Sequence, residues 1–203
     1  GDTYFRAMCC CANYAWANRQ MITHWIRGSF ENVLKNSAES MGMDVVYDVA
    51  HNIAKKESHV VDGKKMDVLV HRKGATRAFP KGHSDVPSVY RNVGQPVIVP
   101  GDMSAGTYVL VGTKGAMENS FGSTCHGAGR KMSRKAAFGK LNVEDLRNSM
   151  KARNIYLKSG TDQGVLDEAP EAYKDVDQVV SVVCGAGIAE KVAKLRPLGV
   201  VKG

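Results

Sequence analysis

The 203-residue sequence predicts an α+β fold, a mixed sheet with packed helices, on three observations. Residues 5–35 carry apolar and small residues at helical spacing. Short β-like runs fill the middle of the chain, and helical patterns return in the second half. No internal repeat, low-complexity tract or convincing linker interrupts residues 1–203, so no internal boundary is expected.

Each element has its own reason. Phe5, Met8, Ala12, Trp16, Ile22, Trp25, Ile26, Phe30 and Val33 recur as on one or two packed helices, and the Ala/Cys-rich face predicts close helix packing. A polar break over 35–40 ends this region. The runs MDVVYDVAH (43–51), MDVLVHRKG (66–74), QPVIVPG (95–101) and TYVLVG (107–112) read as strands, separated by turn-rich segments such as VDGKK and FPKGHSDVP. RKMSRKAAF then reads as a helix. Asn142 caps a further helix whose first turn holds Glu144 and Asp145. A third starts near Pro170 and stops at Gly185, and KLRPLGVVKG reads as a final strand.

The chain has 28 Lys and Arg against 20 Asp and Glu, net +8, which favours a polyanionic partner such as nucleic acid or nucleotide. The excess is concentrated: from His126 to Lys158 there are nine basic residues and two acids. No run of about 18 apolar residues or signal-like segment is present, so no membrane partner is expected. The chain begins at Gly1 without Met and is at once helical, which reads as a fragment or processed product. Five cysteines, three of them consecutive (Cys9, Cys10, Cys11), make a poor disulfide framework; they read as small buried hydrophobes in a reducing, cytoplasmic setting.

The stretch FGSTCHGAGRKMSR (121–134) sets His126 among glycines and before a run of positive charge. It is not a P-loop, because Gly127 is followed by Ala128 rather than lysine. It is not a dinucleotide fingerprint, because Met132 stands where the third glycine is needed. A cysteine phosphatase needs its arginine one place beyond Arg130. What remains is a loop whose backbone N–H groups can approach an anion, leading towards a helix on which Arg130 and Arg134 share a face. His126 could serve there as a phosphate-binding residue, a metal ligand or a nucleophile towards phosphorus, or be structural.

Other histidines are weaker candidates. His51, with Asn52 at the end of a β-like run, suits a transition metal, but one histidine alone cannot hold it. His59, eight residues on, reads as an exposed loop residue, His24 as packing or surface, and His83 as loop. His71 lies with Arg72, Lys73 and Arg77 in a cluster suited to phosphate.

Taken together, YDVAHNIAK, VHRKGATRAFP, GQPVIVPGDM, FGSTCHGAGRKMSR, EAPEAYKDV and KLRPLGVVKG closely resemble the RtcB family of RNA-splicing ligases, in the same order and across essentially the whole chain. The resemblance implies an RtcB-like fold and the C-terminal part of a single catalytic domain. It implies joining of RNA 3′-phosphate or 2′,3′-cyclic phosphate ends to 5′-hydroxyl ends, with GTP and manganese (Mn2+), in tRNA splicing or RNA repair. By motif match His126 would be guanylylated and His51 would ligate manganese. The guanylate pocket would include Asn52, Pro100, Gly101, Asp102, Met103, Thr107, Gly127, Ala128 and Gly129, with Lys202 near the guanine and Tyr173 against its ring. Lys73, Arg130 and Arg134 would meet RNA phosphates. The implied partners are RNA, including tRNA halves, and an archease-like activator.

Two departures stand out. Where the family commonly reads M-G-T-x-S-Y, this chain has Met103-Ser104-Ala105-Gly106-Thr107-Tyr108, which questions the freedom of that loop. The family's D-x-C, N-H-F-x-E and H-x-G-S-R-G motifs, which carry the other metal ligands, do not occur in the sequence. The alternative to a ligase is therefore an inactive fragment acting as an RNA-binding or scaffolding module; a generic phosphatase or nucleotidyltransferase is a third reading.

Overall fold

The computed structural model describes residues 1–201 and confirms the mixed α and β class, with the strands distributed over three small antiparallel sheets. The chain forms two compact units, Gly1–Lys73 and Gly74–Gly203.

The first unit opens with one helix, α1 (Asp2–Leu34), which ends where Lys35 turns left-handed at φ 54°. Its sequence predicts packing, yet Ala12 is its one buried residue, and Cys9, Cys10 and Cys11 are exposed. The cysteines are therefore not core residues here. Segment 43–51, expected as a strand, joins no sheet; it is tied to the helix by side chains instead. Arg27 donates to the Met43 carbonyl (2.9 and 2.7 Å), and Arg19 forks onto Asp48 (2.6 and 3.1 Å).

The strand begins later. β1 (Asn52–Val61) pairs with β2 (Lys64–Lys73) through the turn Asp62-Gly63, both at positive φ (50° and 76°), the conformation of a two-residue hairpin loop. Glu57 and His59, two apart and so on one face of β1, are buried together with Arg72. Arg72 grips Glu57 through two 2.8 Å bonds, and His59 Nε2 lies 3.0 Å from Glu57 Oε2. His59 is thus a paired core residue rather than an exposed loop histidine. Charge is tolerated there because it is matched and hydrogen-bonded.

In the second unit β3 (Ala75–Arg77) pairs with β6 (Ser123–Cys125), and β4 (Pro96–Pro100), β5 (Thr107–Gly112) and β7 (Ala189–Leu195) form a sheet in the order β4-β5-β7. Pro96 and Pro100 sit on the edge strand, where their missing N–H groups break no central ladder. The predicted final strand contributes only Lys194 and Leu195 to β7. Helix α6 (Val176–Gly185), capped by Asp175 rather than starting at Pro170, packs Val176 and Val180 on Val97, Val99 and Leu110. Helix α2 (Lys114–Ser120) follows β5, packs against β6 and buries Ala116 in the first core.

A second core joins α4 (Val143–Ala152) to α5 (Asp162–Asp167) through Leu146, Met150, Val165 and Ala169. Asn142 caps α4 as expected, accepting from the Glu144 and Asp145 N–H groups at 2.8 and 3.2 Å. The helix after the glycine loop, α3 (Arg134–Lys140), starts only at Arg134 behind its cap Ser133. Arg130 is therefore not on it. Among the described residues no helix is long and apolar enough to cross a membrane.

Two outcomes test this packing. A Cβ at Gly112 would meet the backbone of Ala78 and Phe79, neither of which can step aside cheaply. Gly112→Ala is expected to cost about 1–3 kcal/mol of stability in urea unfolding; an unchanged midpoint contradicts the close approach. The second outcome concerns Asp177, which ties α6 to the sheet by accepting from Tyr108 (2.9 Å) and Lys194 (2.7 and 2.8 Å). The Lys194 hydrogen bond first, then that of Tyr108, holds the Asp177 carboxyl below its ordinary range. A depressed carboxyl stabilises the fold above the ordinary carboxylate range, and that contribution is lost as pH falls through the folded pKa. Asp177→Asn should flatten the acid limb of a Tm against pH curve; an identical acid limb would contradict the tie.

Candidate functional site

Strand β6 delivers His126. Ala75 pairs with Cys125, so the histidine emerges at the end of a paired strand with β3 beside it. It is half-buried, and a Cβ built at Gly74 would lie 3.6 Å from the imidazole Cε1 and 3.7 Å from Nδ1. Such a Cβ would only touch the ring; what favours glycine at position 74 is its φ of 67°.

The next three residues are fixed through their backbone. Ala128 N–H donates to the Pro100 carbonyl at 3.0 Å, and the Ala128 methyl is buried in the first core. Gly127 lies beside Pro100, at a spacing where a Cβ would make ordinary contact with the Pro100 oxygen at 3.5 Å. Gly129 adopts φ 74°, and its carbonyl accepts the Lys174 N–H at 2.9 Å. A loop so pinned presents His126 in one place.

Pro100 opens the second half of the site. The Gly101 N–H donates to the Gly106 carbonyl at 3.1 Å, closing the loop before Thr107 starts β5 opposite Pro100. Asp102 Oδ1 accepts from the Ser104 N–H (2.7 Å), the Ser104 hydroxyl (2.7 Å) and the Ala105 N–H (3.0 Å), a side-chain turn that sets the loop's shape. Met103 packs on the second core. Ser104 and Ala105 both keep negative φ, so neither position demands glycine. Ser104 also accepts from Arg153 Nη1 at 2.9 Å, a tie that glycine could not make.

Cys125 stays a thiol. Burial, ahead of all other causes, raises its pKa, which removes it as a competing nucleophile beside His126. Tyr173, also raised by burial and then by its hydrogen bond to Glu168 (2.9 Å), stays a phenol. Arg130 lies over its ring with 5.2 Å to the centroid.

Arg130 and Arg134 do come together, by a route that helical spacing does not describe. Arg130 forms a backbone bridge with Tyr173, and both arginines reach Asp167 at the end of α5: Arg130 Nη1 at 3.1 Å from Oδ1, Arg134 Nε at 2.8 Å from Oδ2. Asp167 is the residue that the sequence reading missed. It stands one place before the EAPEAYKDV stretch, in an acid-rich segment between Lys158 and Lys174 where no local pattern singles it out.

His51, Asn52 and Lys73 belong to the first unit. Asn52 pairs directly with Lys73 at the open end of the β1–β2 hairpin, with His51 next to it and exposed. The proposed basic cluster around them is reduced: Arg72 is buried on Glu57, His71 stacks on Tyr4 at 5.7 Å, and Arg77, in the second unit, pairs with Asp85 at 3.6 Å. Lys202 lies outside the described residues.

Manganese takes several oxygen or imidazole ligands. Among the described residues no group of three His, Cys, Asp or Glu could hold a metal ion. His59 cannot join His51, because eight residues along β1 separate them by roughly 25 Å. The donors described here do not on their own fit a manganese site.

Comparison with known proteins bears on the same residues. The family model described as tRNA-splicing ligase RtcB matches residues 1–203. The chain is 61% identical over 203 residues to the tRNA-splicing ligase RtcB of Thermococcus kodakarensis, covering all of this chain and 42% of that protein. It is 58% identical to that of Pyrococcus abyssi, again over all of this chain and 22% of the relative, and 52% identical to that of Nanoarchaeum equitans, over 42% of the relative. The chain thus spans less than half the length of these relatives. With the match running without interruption through the hairpin, the His126 loop and the second core, the chain belongs to the RtcB family of tRNA-splicing ligases.

Proposed function

We propose that the protein carrying this chain is a GTP- and manganese-dependent RNA ligase, which joins RNA 3′-phosphate or 2′,3′-cyclic phosphate ends to 5′-hydroxyl ends with His126 as its nucleophile. The observation that carries the reading is the His126 loop itself: an imidazole at a strand end, on a backbone pinned at Ala128 and Gly129, beside a thiol kept neutral by burial.

The imidazole nitrogen attacks the α-phosphorus of GTP, forming a P–N bond as the P–O bond to pyrophosphate breaks. The guanylyl group then passes to the RNA 3′-phosphate, freeing the imidazole. Attack of the 5′-hydroxyl on the RNA phosphorus expels GMP and leaves a phosphodiester. Gly127, Ala128 and Gly129, with the Pro100–Thr107 loop, border the nucleotide, and Arg130 and Arg134 meet RNA phosphate by charge-assisted bonds. Asn52, Lys73 and Tyr173 are assigned to nucleotide and phosphate contacts by the same reading. Manganese would neutralise phosphate charge, with His51 as one ligand and the others supplied from outside this chain. tRNA halves are the substrate class favoured by the relatives' names, and an archease-like activator is a candidate partner.

A second reading, an RNA-binding or scaffolding module, is favoured by one observation: the metal donors of the described residues are too few. Labelling separates the two. With radioactive GTP and manganese, the intact protein should form a covalent GMP adduct, and His126→Ala should abolish it; an undiminished adduct in that variant contradicts the assignment. The 203-residue chain by itself should stay unlabelled, and no label in the intact protein either would favour the module.

A further inference from the structure

Arg130 and Arg134 are held in very different ways. The Arg130 guanidinium donates to two backbone carbonyls, Met132 at 3.1 Å and Asp167 at 2.5 Å, and lies over the Tyr173 ring. None of those contacts needs the Asp167 carboxylate. Arg134 is the opposite case: its side chain is 72% exposed and is tethered by one 2.8 Å bond to Asp167 Oδ2.

Asp167 serves both arginines without satisfying either. Its Oδ1 lies 3.1 Å from Arg130 Nη1, but the two hydrogens of that nitrogen go to the Asp167 backbone oxygen and, at 3.5 Å, the Tyr173 hydroxyl. Oδ1 is therefore buried without a hydrogen bond, and so is Arg130 Nη2. Buried polar atoms normally find partners, so a donor and an acceptor left without hydrogen bonds within one ion pair mark a place where a better ligand fits. A phosphate monoester is such a ligand. It brings more charge than a carboxylate and three oxygens for two guanidinium forks.

We propose that Asp167 competes with the RNA 3′-phosphate for this pair of arginines, holding Arg134 in the free protein and surrendering it when the phosphate arrives. Releasing Arg134 costs little on its own side, because its side chain is 72% exposed and held by one ion pair. Arg130 keeps its backbone and ring contacts throughout, so it marks the seat while Arg134 closes on the ligand. The proposal rests on the reading above that these arginines bind RNA phosphate.

The test is the affinity of the intact protein for a short RNA bearing a 3′-phosphate, with the same RNA bearing a 3′-hydroxyl as control. Asp167→Asn keeps the size and the backbone carbonyl but removes the competing charge, and should tighten binding of the 3′-phosphate RNA about threefold to tenfold. Asp167→Ser should change it in the same direction, and Asp167→Glu should not. Adding Arg134→Gln to Asp167→Asn should erase the gain. If Arg134→Gln alone weakens 3′-phosphate binding while the neutral Asp167 variants bind no better or worse, Asp167 merely positions the arginines and the proposal is overturned. If Arg134→Gln leaves the affinity of both RNAs unchanged, the phosphate-binding reading itself fails and takes the proposal with it.

Discussion

The hydrogen bond from the Ala128 N–H to the Pro100 carbonyl is the constraint on which the His126 loop depends. Such a bond is worth only about 0.5–1.5 kcal/mol net, but leaving either group unpaired beside the buried Ala128 would cost about 1–3 kcal/mol. The carbonyl is available because β4 is an edge strand, and β4 tolerates its two prolines for the same reason. Pinning the loop there sets Gly127 beside Pro100 and aligns Gly129 to accept from Lys174. The loop that carries His126 is thus held through backbone groups at Ala128 and Gly129.

A second layer of contacts joins this loop to the helical cluster of α4 and α5. Met103 reaches that cluster from the Pro100–Thr107 loop, Arg153 reaches back to Ser104, and Arg130 bonds the carbonyl at the end of α5. The Pro100–Thr107 loop and Arg130 are thereby attached to one small core. Ser104, a departure from the family's usual glycine, strengthens the attachment instead of straining the loop.

Much of this was legible in the sequence, and the failures have definite causes. β4, β5 and the α4 cap were readable because local pattern decides them. β1 was not, since its buried face carries the polar residues Glu57 and His59, paired with each other and, for Glu57, with Arg72 from the opposite strand. Segment 43–51 has a strand's pattern but finds its partners in Arg19 and Arg27 of α1. The spacing of Arg130 and Arg134 suggested one helix face, whereas their meeting point, Asp167, lies 37 and 33 residues away along the chain. Long-range pairing of this kind leaves no periodic trace. The CHGAG motif was legible because it is short, contiguous and chemically unusual.

The central claim is that His126 forms the covalent bond to the nucleotide. The most direct measurement is peptide mapping by mass spectrometry of the intact protein after reaction with GTP and manganese. The guanylyl group is expected on the peptide containing His126, through a P–N bond that acid breaks. Attachment to a lysine, or to Cys125 within the same peptide, would contradict the account.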